Sequence, residues 1–402
     1  MALNTTQFGS VLKVFYLGPV REQLNQSSVL LSKLETKSNA FSGKRVEIPL
    51  HSDRNYGHGS RNESEALPTA LRQGYSSAVF TPSYQYGSIR VTGPTIKAAR
   101  DNRGAFLRAV DSEMKGMSKD LRASVNRQIF RDGSGALTAC SGANSTVTIN
   151  VDSTKYIKPG MTVDIIDAGT SAPIASNGTQ AVATVPNATT FTVAAAPSPA
   201  TADGDKVVLT GTYNKDLFGL SAIVSTADPS SGQFGQIARA TNSFWQAGHL
   251  TAGSNRALTI ELMQQAQDES DVNGDGDIGL IVTNHAVKRK YGQLLVSEKR
   301  YPPGGEITLD GGYSGLEFNG SLVVADKDAG GVEDPSTLNG MYFLDTSSLF
   351  FLDMGDWDWM SEDGAILSRR DGYDEYEATL FRYFQLASDQ CNANTLLDNI
   401  SE

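Results

Sequence analysis

The longest regular pattern in the sequence is a series of apolar residues, three or four positions apart, between Ala98 and Arg131. The members of this series are Phe106, Val110, Met114, Met117, Leu121, Val125 and Ile129. Such spacing places apolar side chains on one face of an α-helix. At 1.5 Å per residue the helix should be about 50 Å long. It is expected to end at Asp132-Gly133-Ser134-Gly135, where glycine allows a left-handed exit.

A different pattern occupies Ala136 to Tyr213, where short runs rich in Val, Thr and Ile alternate with turn residues. The runs are TVTINV (146–151), MTVDII (161–166), QAVATV (180–185), TTFTVA (189–194) and KVVLTG (206–211). Lys158-Pro159-Gly160 and Asp203-Gly204-Asp205 have the composition of hairpin turns. This segment predicts a small β-barrel or sandwich inserted into a larger α+β host fold.

Before the helix, two strand-like segments flank a polar stretch. RVEIPL (45–50) alternates like a strand, residues 76–91 are β-favouring, and His51 to Tyr75 is rich in Gly, Ser and Arg. Because an isolated two-stranded ribbon is marginally stable in water, this long hairpin is expected to lie against a partner. Residues 1–43 are polar, with two short apolar clusters, and predict an arm that becomes ordered against something else.

The remainder mixes helices and strands. The patterns predict helices at Thr259–Glu269 and His285–Leu295 and strands at Gly279–Thr283 and Gly320–Ala325. Tyr373 to Ile400 is expected to form a strand followed by a helix.

Length and composition narrow the class of protein. A chain of 402 residues favours two or three folding units. No run approaches the roughly 18 apolar residues of a membrane span, and the first residues lack the layout of a signal peptide, so the chain is expected to remain in the cytoplasm that makes it. Cys140 and Cys391 form no CxxC pair and are expected to be buried free thiols.

Charge is unevenly distributed along the chain. The net charge of -11 argues against a protein whose main role is to bind nucleic acid, because such binding needs clustered Lys and Arg. Residues 1–131 contain 19 Lys and Arg against 10 Asp and Glu, whereas residues 132–402 contain 15 against 35. The two parts can attract each other within one chain, or between copies of a self-assembling protein.

One segment resembles a calcium-binding loop. Residues 271–278, DVNGDGDI, match the first eight positions of an EF-hand loop, and the candidate ligands are Asp271, Asn273, Asp275 and Asp277. The twelfth position, which needs a bidentate carboxylate, is Val282, and the residues before it favour a strand over a second helix. The match predicts at most a weak cation site, and a solvated turn is the simpler interpretation.

The sequence predicts no catalytic residue and no cofactor. It has no GxSxG, HExxH or Walker A motif. The best acid/base candidates are clustered carboxylates, which are better interpreted as a solvated acidic face: Asp353, Asp356, Asp358, Glu362 and Asp363.

Taken together, the order of the predicted elements resembles the HK97-type fold of tailed-phage major capsid proteins over nearly the whole chain. Several stretches are similar to that family in sequence: LPTAL (67–71), TNHAVKRKY (283–291), GGYSGLEFNG (311–320) with VVAD (323–326), and MYFLDT (341–346) before WDW (357–359). The resemblance implies six consecutive parts: an N-terminal arm (1–44), an extended loop (45–97), a spine helix (98–135), an inserted β domain (136–213), a mainly axial domain (214–346) and the C-terminal part of the peripheral domain (347–402).

The resemblance also implies a function. The chain is expected to be a structural subunit, not an enzyme, that assembles as pentamers and hexamers into an icosahedral shell around double-stranded DNA held without sequence specificity. Further implied partners are a scaffolding protein, a portal and decoration proteins, with no membrane. Assembly would occur in the host bacterial cytoplasm and the product would be the virion. Two alternatives are an encapsulin-like compartment and a secreted calcium-dependent β-rich protein, the latter lacking a signal peptide and a closing calcium ligand.

Some members of this family join subunits by lysine-to-asparagine crosslinks from the extended loop. Residues 46–96 contain no lysine, and the basic residues there are Arg54, Arg61, Arg72 and Arg90. Guanidinium is a poor nucleophile, but its planar fork suits paired hydrogen bonds to carboxylates. These arginines are therefore expected to form salt bridges between subunits in place of covalent bonds, and the alternative is that they only keep the loop soluble.

Overall fold

The computed structural model describes residues 30, 33–37, 41, 43–94, 103–174, 179–297, 307–309, 313–330, 339–361 and 366–401. Most of the predicted arm (1–29) and the predicted start of the long helix (98–102) lie outside this part of the chain.

The elements follow one another in this order. The first strands are β1 (Glu35–Lys37), β2 (Val46–Asp53), β3 (Gly74–Phe80) and β4 (Ser83–Thr92), and helix α1 (Arg103–Ile129) comes next. The inserted segment contains β5 (Ala136–Ala139), β6 (Thr148–Asn150), β7 (Thr162–Ile166), β8 (Gln180–Asn187), β9 (Thr190–Val193) and β10 (Lys206–Leu209). It is followed by α2 (Leu220–Ile223), 3-10 turns at Phe234–Gln236 and Ser243–Trp245, β11 (Gly248–Leu250), α3 (Ile260–Gly274), β12 (Leu280–Thr283), α4 (His285–Ser297), β13 (Ile307–Leu309), β14 (Tyr313–Phe318), β15 (Ser321–Ala325) and β16 (Met341–Leu344). The last elements are β17 (Leu349–Asp353), β18 (Asp358–Trp359), β19 (Ser368–Arg369), β20 (Glu375–Ser388), a 3-10 turn at Cys391–Ala393, and β21 (Thr395–Leu397).

The long helix packs on a sheet built around β20. The strand order is β1-β17-β20-β18, and β19 and β4 also pair with β20. Strand β4 alternates strictly between buried and exposed residues and pairs antiparallel with β20 along its whole length. The predicted helix is confirmed, with its end at Ile129 and a described length of 27 residues, about 40 Å. Its spacing works as predicted, because Met114, Leu121 and Val125 are buried in the main apolar core.

The insertion forms a sheet of its own, in the order β5-β10-β7-β8-β9-β6. Hydrogen bonds from Ser141 N to Asn150 O (2.9 Å) and from Asp152 N to Ala139 O (3.1 Å) join the end of β5 to β6, so the sheet closes into a small barrel. A separate apolar cluster, which includes Ile149, Phe191 and Val207, fills its interior. The five predicted strands are confirmed, and β5 is an additional one.

A third sheet has the order β11-β21-β16-β12-β15-β14-β13. One face, with Ile281 and Phe343, packs under α3 and α4, while the other face joins the main core through Val282 and Tyr342. The helix predicted near the C-terminus is wrong, because Thr395–Leu397 is a buried strand paired with β11 and β16. The chain end therefore returns to the sheet of the predicted axial domain, although the sequence placed it in the peripheral one.

The end of the predicted arm docks on its own chain. Strand β1 runs parallel to β17, and Leu30, Leu34 and Phe41 are buried in the main core. These residues of the predicted arm are therefore ordered against the rest of their own chain.

Candidate functional site

The candidate site is the hairpin of residues 46–80, and the name extended loop, used above for residues 45–97, is restricted to it from this point. The hairpin is anchored at its base and extends away from it. At that base Phe80 packs edge-on against Phe234, with ring centroids 5.1 Å apart, and Phe234 stacks on Trp245 at 5.8 Å. The Trp245 indole Nε1 donates to the Phe234 carbonyl at 2.9 Å. Beneath them, the fully buried Arg239 donates from Nη2 to the Ile223 carbonyl at 2.8 Å and from Nη1 to Ala227 O at 2.9 Å. Aromatic packing and hydrogen bonds therefore hold the base of the loop in place.

Strands β2 and β3 carry the loop outward as an antiparallel pair, in register from Val46 opposite Phe80 to Asp53 opposite Gly74. Only Leu50 in β2 and Ala78 and Phe80 in β3 are buried. The ribbon therefore packs at its base, and most of its length does not rest on the chain's own core. Strand β4, predicted as part of the same loop, instead belongs to the sheet around β20.

The loop tip, residues 54–75, which includes the first two residues of β3, is held by local hydrogen bonds instead of a core. Asn55 Nδ2 donates to Leu71 O at 2.7 Å, and the Gly57 amide donates to Asn55 Oδ1 at 2.7 Å. Further out, Asn62 Nδ2 donates to Glu65 Oε1 at 2.8 Å. These bonds give the tip a defined shape while leaving its side chains exposed.

Several of those exposed side chains are large and apolar. Leu67 is 85% exposed, Tyr75 76%, Tyr56 64% and Leu71 54%. Apolar side chains that cluster on a protruding loop mark a protein interaction surface more often than singly scattered ones do. Sequence reasoning did not single out these residues as contacts, although the Leu-Pro-Thr-Ala-Leu run within an otherwise polar stretch was the available signal.

The four predicted contact arginines divide into two groups. Arg54, Arg61 and Arg72 lie exposed in the loop tip, where Arg61 donates from Nε to the Ala66 carbonyl at 3.1 Å. None of these three forms an ion pair with another described residue. Arg90 lies in β4, and its Nε is 3.2 Å from Glu377 Oε2 of the same chain. The structure therefore gives Arg90 an internal partner.

A second exposed aromatic surface lies on the outer face of β4 and β20. Tyr84 is directly opposite Tyr383, with rings 5.2 Å apart, and Tyr86 is opposite Phe381. The pKa of Tyr383 is raised to about 12, and the largest cause is its hydrogen bond with Tyr86. Cross-strand aromatic pairs of this kind help to fix the register of the two strands.

Residues 271–277, which resemble the start of a calcium-binding loop in sequence, form the end of α3 and the turn after it in the structure. Asp271 and Asn273 belong to the last turn of α3, and Asp275 is its left-handed C-cap with φ of 53°. Asn273 Nδ2 donates to Glu269 Oε1 of the same helix at 2.8 Å. The glycines have a packing role, because a Cβ on Gly274 would lie 2.5 Å from Ala393 N. The glycine-rich composition therefore suits a helix end against which the C-terminal segment packs.

A buried polar junction joins α1, the barrel and the segment that directly follows β15. Asn126 Nδ2 donates to Asp326 Oδ1 at 3.0 Å and to Asp328 Oδ2 at 2.8 Å, and Tyr156 Oη donates to Asp328 Oδ1 at 2.8 Å. Burial raises the pKa of Asp326. Burial acts in the same direction on Asp328, but the bonds from Asn126 and Tyr156, together with the nearby lysine charges, outweigh it and hold the pKa of that carboxyl below its usual value. Lys155 Nζ, 3.3 Å from Asp328 Oδ1, completes the attachment of the barrel to its host.

The other chemical candidates have structural explanations. Asp353 is buried and accepts from Arg382 at 3.1 Å (Nε) and 2.5 Å (Nη2), so it is not part of a solvated face; Glu362 and Asp363 lie outside the described residues. Both cysteines are free and buried, as predicted. Burial raises the pKa of Cys140 to about 12 and that of Cys391 to about 11, so both thiols are protonated at neutral pH.

Within the described residues, no three or more His, Cys, Asp or Glu side chains are grouped so that they could hold a metal ion. Among the helices of that same part of the chain, none combines the length and the apolar character that crossing a membrane requires.

No protein-family model matches the chain, and no curated protein matches it in sequence. Among solved structures, it is similar to the cyanophage A-1(L) capsid asymmetric unit, with a TM-score of 0.57 and 15% identity over 94% of this chain and 93% of that one. The capsid of an empty GTA particle aligns with a TM-score of 0.48, 7% identity and coverage of 93% and 91%. An encapsulin complex from Synechococcus elongatus aligns with a TM-score of 0.45, 9% identity and coverage of 92% and 87%.

The cyanophage likeness extends over nearly the full length of both chains. It shows that this chain has the fold of that phage capsid protein, and the HK97-type α+β fold predicted from the sequence is confirmed.

Proposed function

We propose that this chain is the structural subunit of an icosahedral bacteriophage capsid. The observation that carries the proposal is a fold shared end to end with a phage capsid protein, combined with an anchored loop whose tip exposes large apolar side chains. A subunit that completes the packing of its loop only on a neighbour is suited to assembly and has no need of a catalytic site.

The loop tip would supply the apolar part of the contact. Fully burying one Leu or Phe-sized side chain contributes roughly 1.5 to 3 kcal/mol. Four such residues, Tyr56, Leu67, Leu71 and Tyr75, are more than half exposed in the isolated chain. Even partial coverage by a neighbour would therefore contribute several kcal/mol per loop, repeated at every subunit of a closed shell.

The arginines of the tip would supply the directional part. Arg54, Arg61 and Arg72 have no ion-pair partner among the described residues of their own chain, while residues 132–402 carry 35 carboxylates. An exposed pair contributes only about 0 to 1 kcal/mol, so these contacts would set the register of the loop more than its affinity. Arg90, already paired with Glu377, is the weakest candidate for such a contact.

The assembly we infer consists of pentamers and hexamers that enclose double-stranded DNA without sequence specificity. A scaffolding protein, a portal and possible decoration proteins would be its other partners. Assembly would take place in the cytoplasm of the host bacterium, and the product is the virion. The net charge of -11 agrees with DNA that is enclosed and not tightly gripped.

Electron microscopy and sedimentation of the purified chain, with and without a scaffolding protein, test this proposal. Closed shells or rings of uniform size are expected. A chain that stays monomeric under all these conditions would contradict it. Shells that are filled with protein cargo in the producing cell, and never with DNA, would favour the encapsulin-like alternative.

A further inference from the structure

Helix α3 and the turn after it carry a concentrated negative charge. Between Glu261 and Asp277 there are six carboxylates and no Lys or Arg. Five of them, which we call the acidic face, are exposed: Glu261, Asp268, Asp271, Asp275 and Asp277. None of the five forms an ion pair with a described residue of its own chain.

The neighbouring helix carries the opposite charge. Helix α4 contains Lys288, Arg289 and Lys290 and no carboxylate. His285 and Arg289 are exposed, and the two lysines are half-buried. We call these four residues the basic face.

The two helices pack on one face of the same sheet, over different halves of it. Helix α3 packs on β11, β21 and β16, at one edge. Helix α4 packs on β15 and β14, where Tyr291 Oη donates to Glu317 O at 2.8 Å and its ring meets Phe318 at 6.2 Å. The helical layer therefore presents negative charge at one flank and positive charge at the other.

We propose that this layer is a contact surface for a second copy of the same chain, in which the acidic face of one copy meets the basic face of the next. This inference rests on the proposed function, because subunits side by side in a ring repeat one heterologous contact, which needs two different and complementary flanks. Here each copy carries both flanks, so one kind of chain closes the ring.

An exposed apolar residue lies within the acidic face. Val272 is 81% exposed between Asp271 and Asn273. Opposite charges around an interface favour the correct register and speed association, and like charges that face each other suppress it. The apolar side chain would then be covered once the charges have aligned the copies.

Charge reversal in two separate variants tests the inference. The first is Asp268→Lys with Asp271→Lys and Asp277→Lys, which leaves the acidic face with more lysines than carboxylates, and the second is Arg289→Glu with Lys290→Glu, which leaves the basic face with more carboxylates than lysines. In each variant alone, like charges meet at every contact, and the concentration needed for assembly should rise about tenfold or more. Mixed in equal amounts, the two variants should form six-membered rings near the wild-type concentration, because alternating copies restore opposite charges at every contact of an even-numbered ring. Asp371→Lys with Asp374→Lys, exposed positions outside the helical layer, is the matched control.

The possible outcomes separate the two proposals. If the wild-type chain forms shells and each variant alone assembles at the wild-type concentration, only the contact between the two faces is refuted. Variants that assemble poorly alone and are not restored by mixing would refute it as well, because that result indicates an attraction within one chain. A wild-type chain that forms neither rings nor shells contradicts the proposed function and this contact with it.

Discussion

Replacing Leu67 by alanine isolates the contribution of the loop tip to assembly. Leu67 is 85% exposed in the single chain, so its side chain contributes almost nothing to the stability of that chain. The substitution removes three carbon atoms, at about 0.8 kcal/mol each when buried. If a neighbour covers most of the exposed surface, each contact loses about 2 kcal/mol, which is roughly a 30-fold change in its equilibrium constant.

The assay measures two quantities on the same preparation. The concentration at which shells form, followed by light scattering or sedimentation, should rise strongly for Leu67→Ala, because every subunit contributes one loop. The denaturant midpoint of the unassembled chain should not change. Val147→Ala is the control, since Val147 is 46% exposed but lies in the inserted barrel.

Two results would refute this reasoning. Shell formation at the wild-type concentration would mean that the loop tip stays exposed in the assembly. A lowered midpoint of the unassembled chain would mean that Leu67 contacts its own chain, contrary to its exposure in the structure.

Three further predictions concern the rest of the chain. Burial raises the pKa of Asp326 above its unfolded value of 3.8, so the folded chain loses stability as the pH rises from about 4 and this carboxyl ionises. Asp326→Asn should therefore raise the free energy of unfolding at pH 7, measured by urea titration, and should give no such gain below about pH 4. The barrel, residues 136–213, should fold when expressed alone, and a short linker in its place should leave the helical circular dichroism of the host unchanged. Mature particles boiled in detergent should run as one band near 43.0 kDa, since residues 46–96 contain no lysine, and a ladder of covalent oligomers would contradict this.

Elements in which apolar residues recur with a regular period could be predicted from the sequence. The three-to-four spacing of α1 and the alternating runs of the barrel each have enough residues to define a face. Strand β4, with ten strictly alternating residues, was also predicted as extended. The pairing of β4 with β20 was not predicted, because it joins positions such as Arg90 and Glu377, 287 residues apart, and no local pattern encodes such a contact.

Two short strands whose residues are all buried were not predicted from the sequence. Strands β5 and β21 have every residue buried, so neither shows the alternation that identifies a strand with one exposed face. The segment after Gln390 contains Ala, Asn and Leu in an arrangement compatible with a helix, but two neighbouring strands impose an extended backbone on it. Tertiary context overrides local propensity at these positions.

The candidate site was predicted as a region but not as a set of contacts. The polar hairpin and its arginines were evident from composition, whereas its anchoring through Phe80, Phe234 and Trp245 depends on residues more than 150 positions apart. The likeness of residues 271–278 to a calcium-binding loop also has an explanation that no local pattern shows. The glycines of this segment are explained by the close approach of Ala393, which is distant in sequence.

The contrast between the two ends of the loop explains how one chain can be stable alone and still require neighbours. A two-stranded ribbon in water is marginal, so β2 and β3 need support at one end at least. The aromatic base provides that support, with Phe80 only 2% exposed, while Leu67 at the tip is 85% exposed. A loop fixed at its base keeps its tip within a limited volume, which raises the effective concentration of the tip for a neighbouring subunit and reduces the entropy lost on docking. In the proposed shell each contact could therefore stay modest, because every subunit would both donate a loop and receive one.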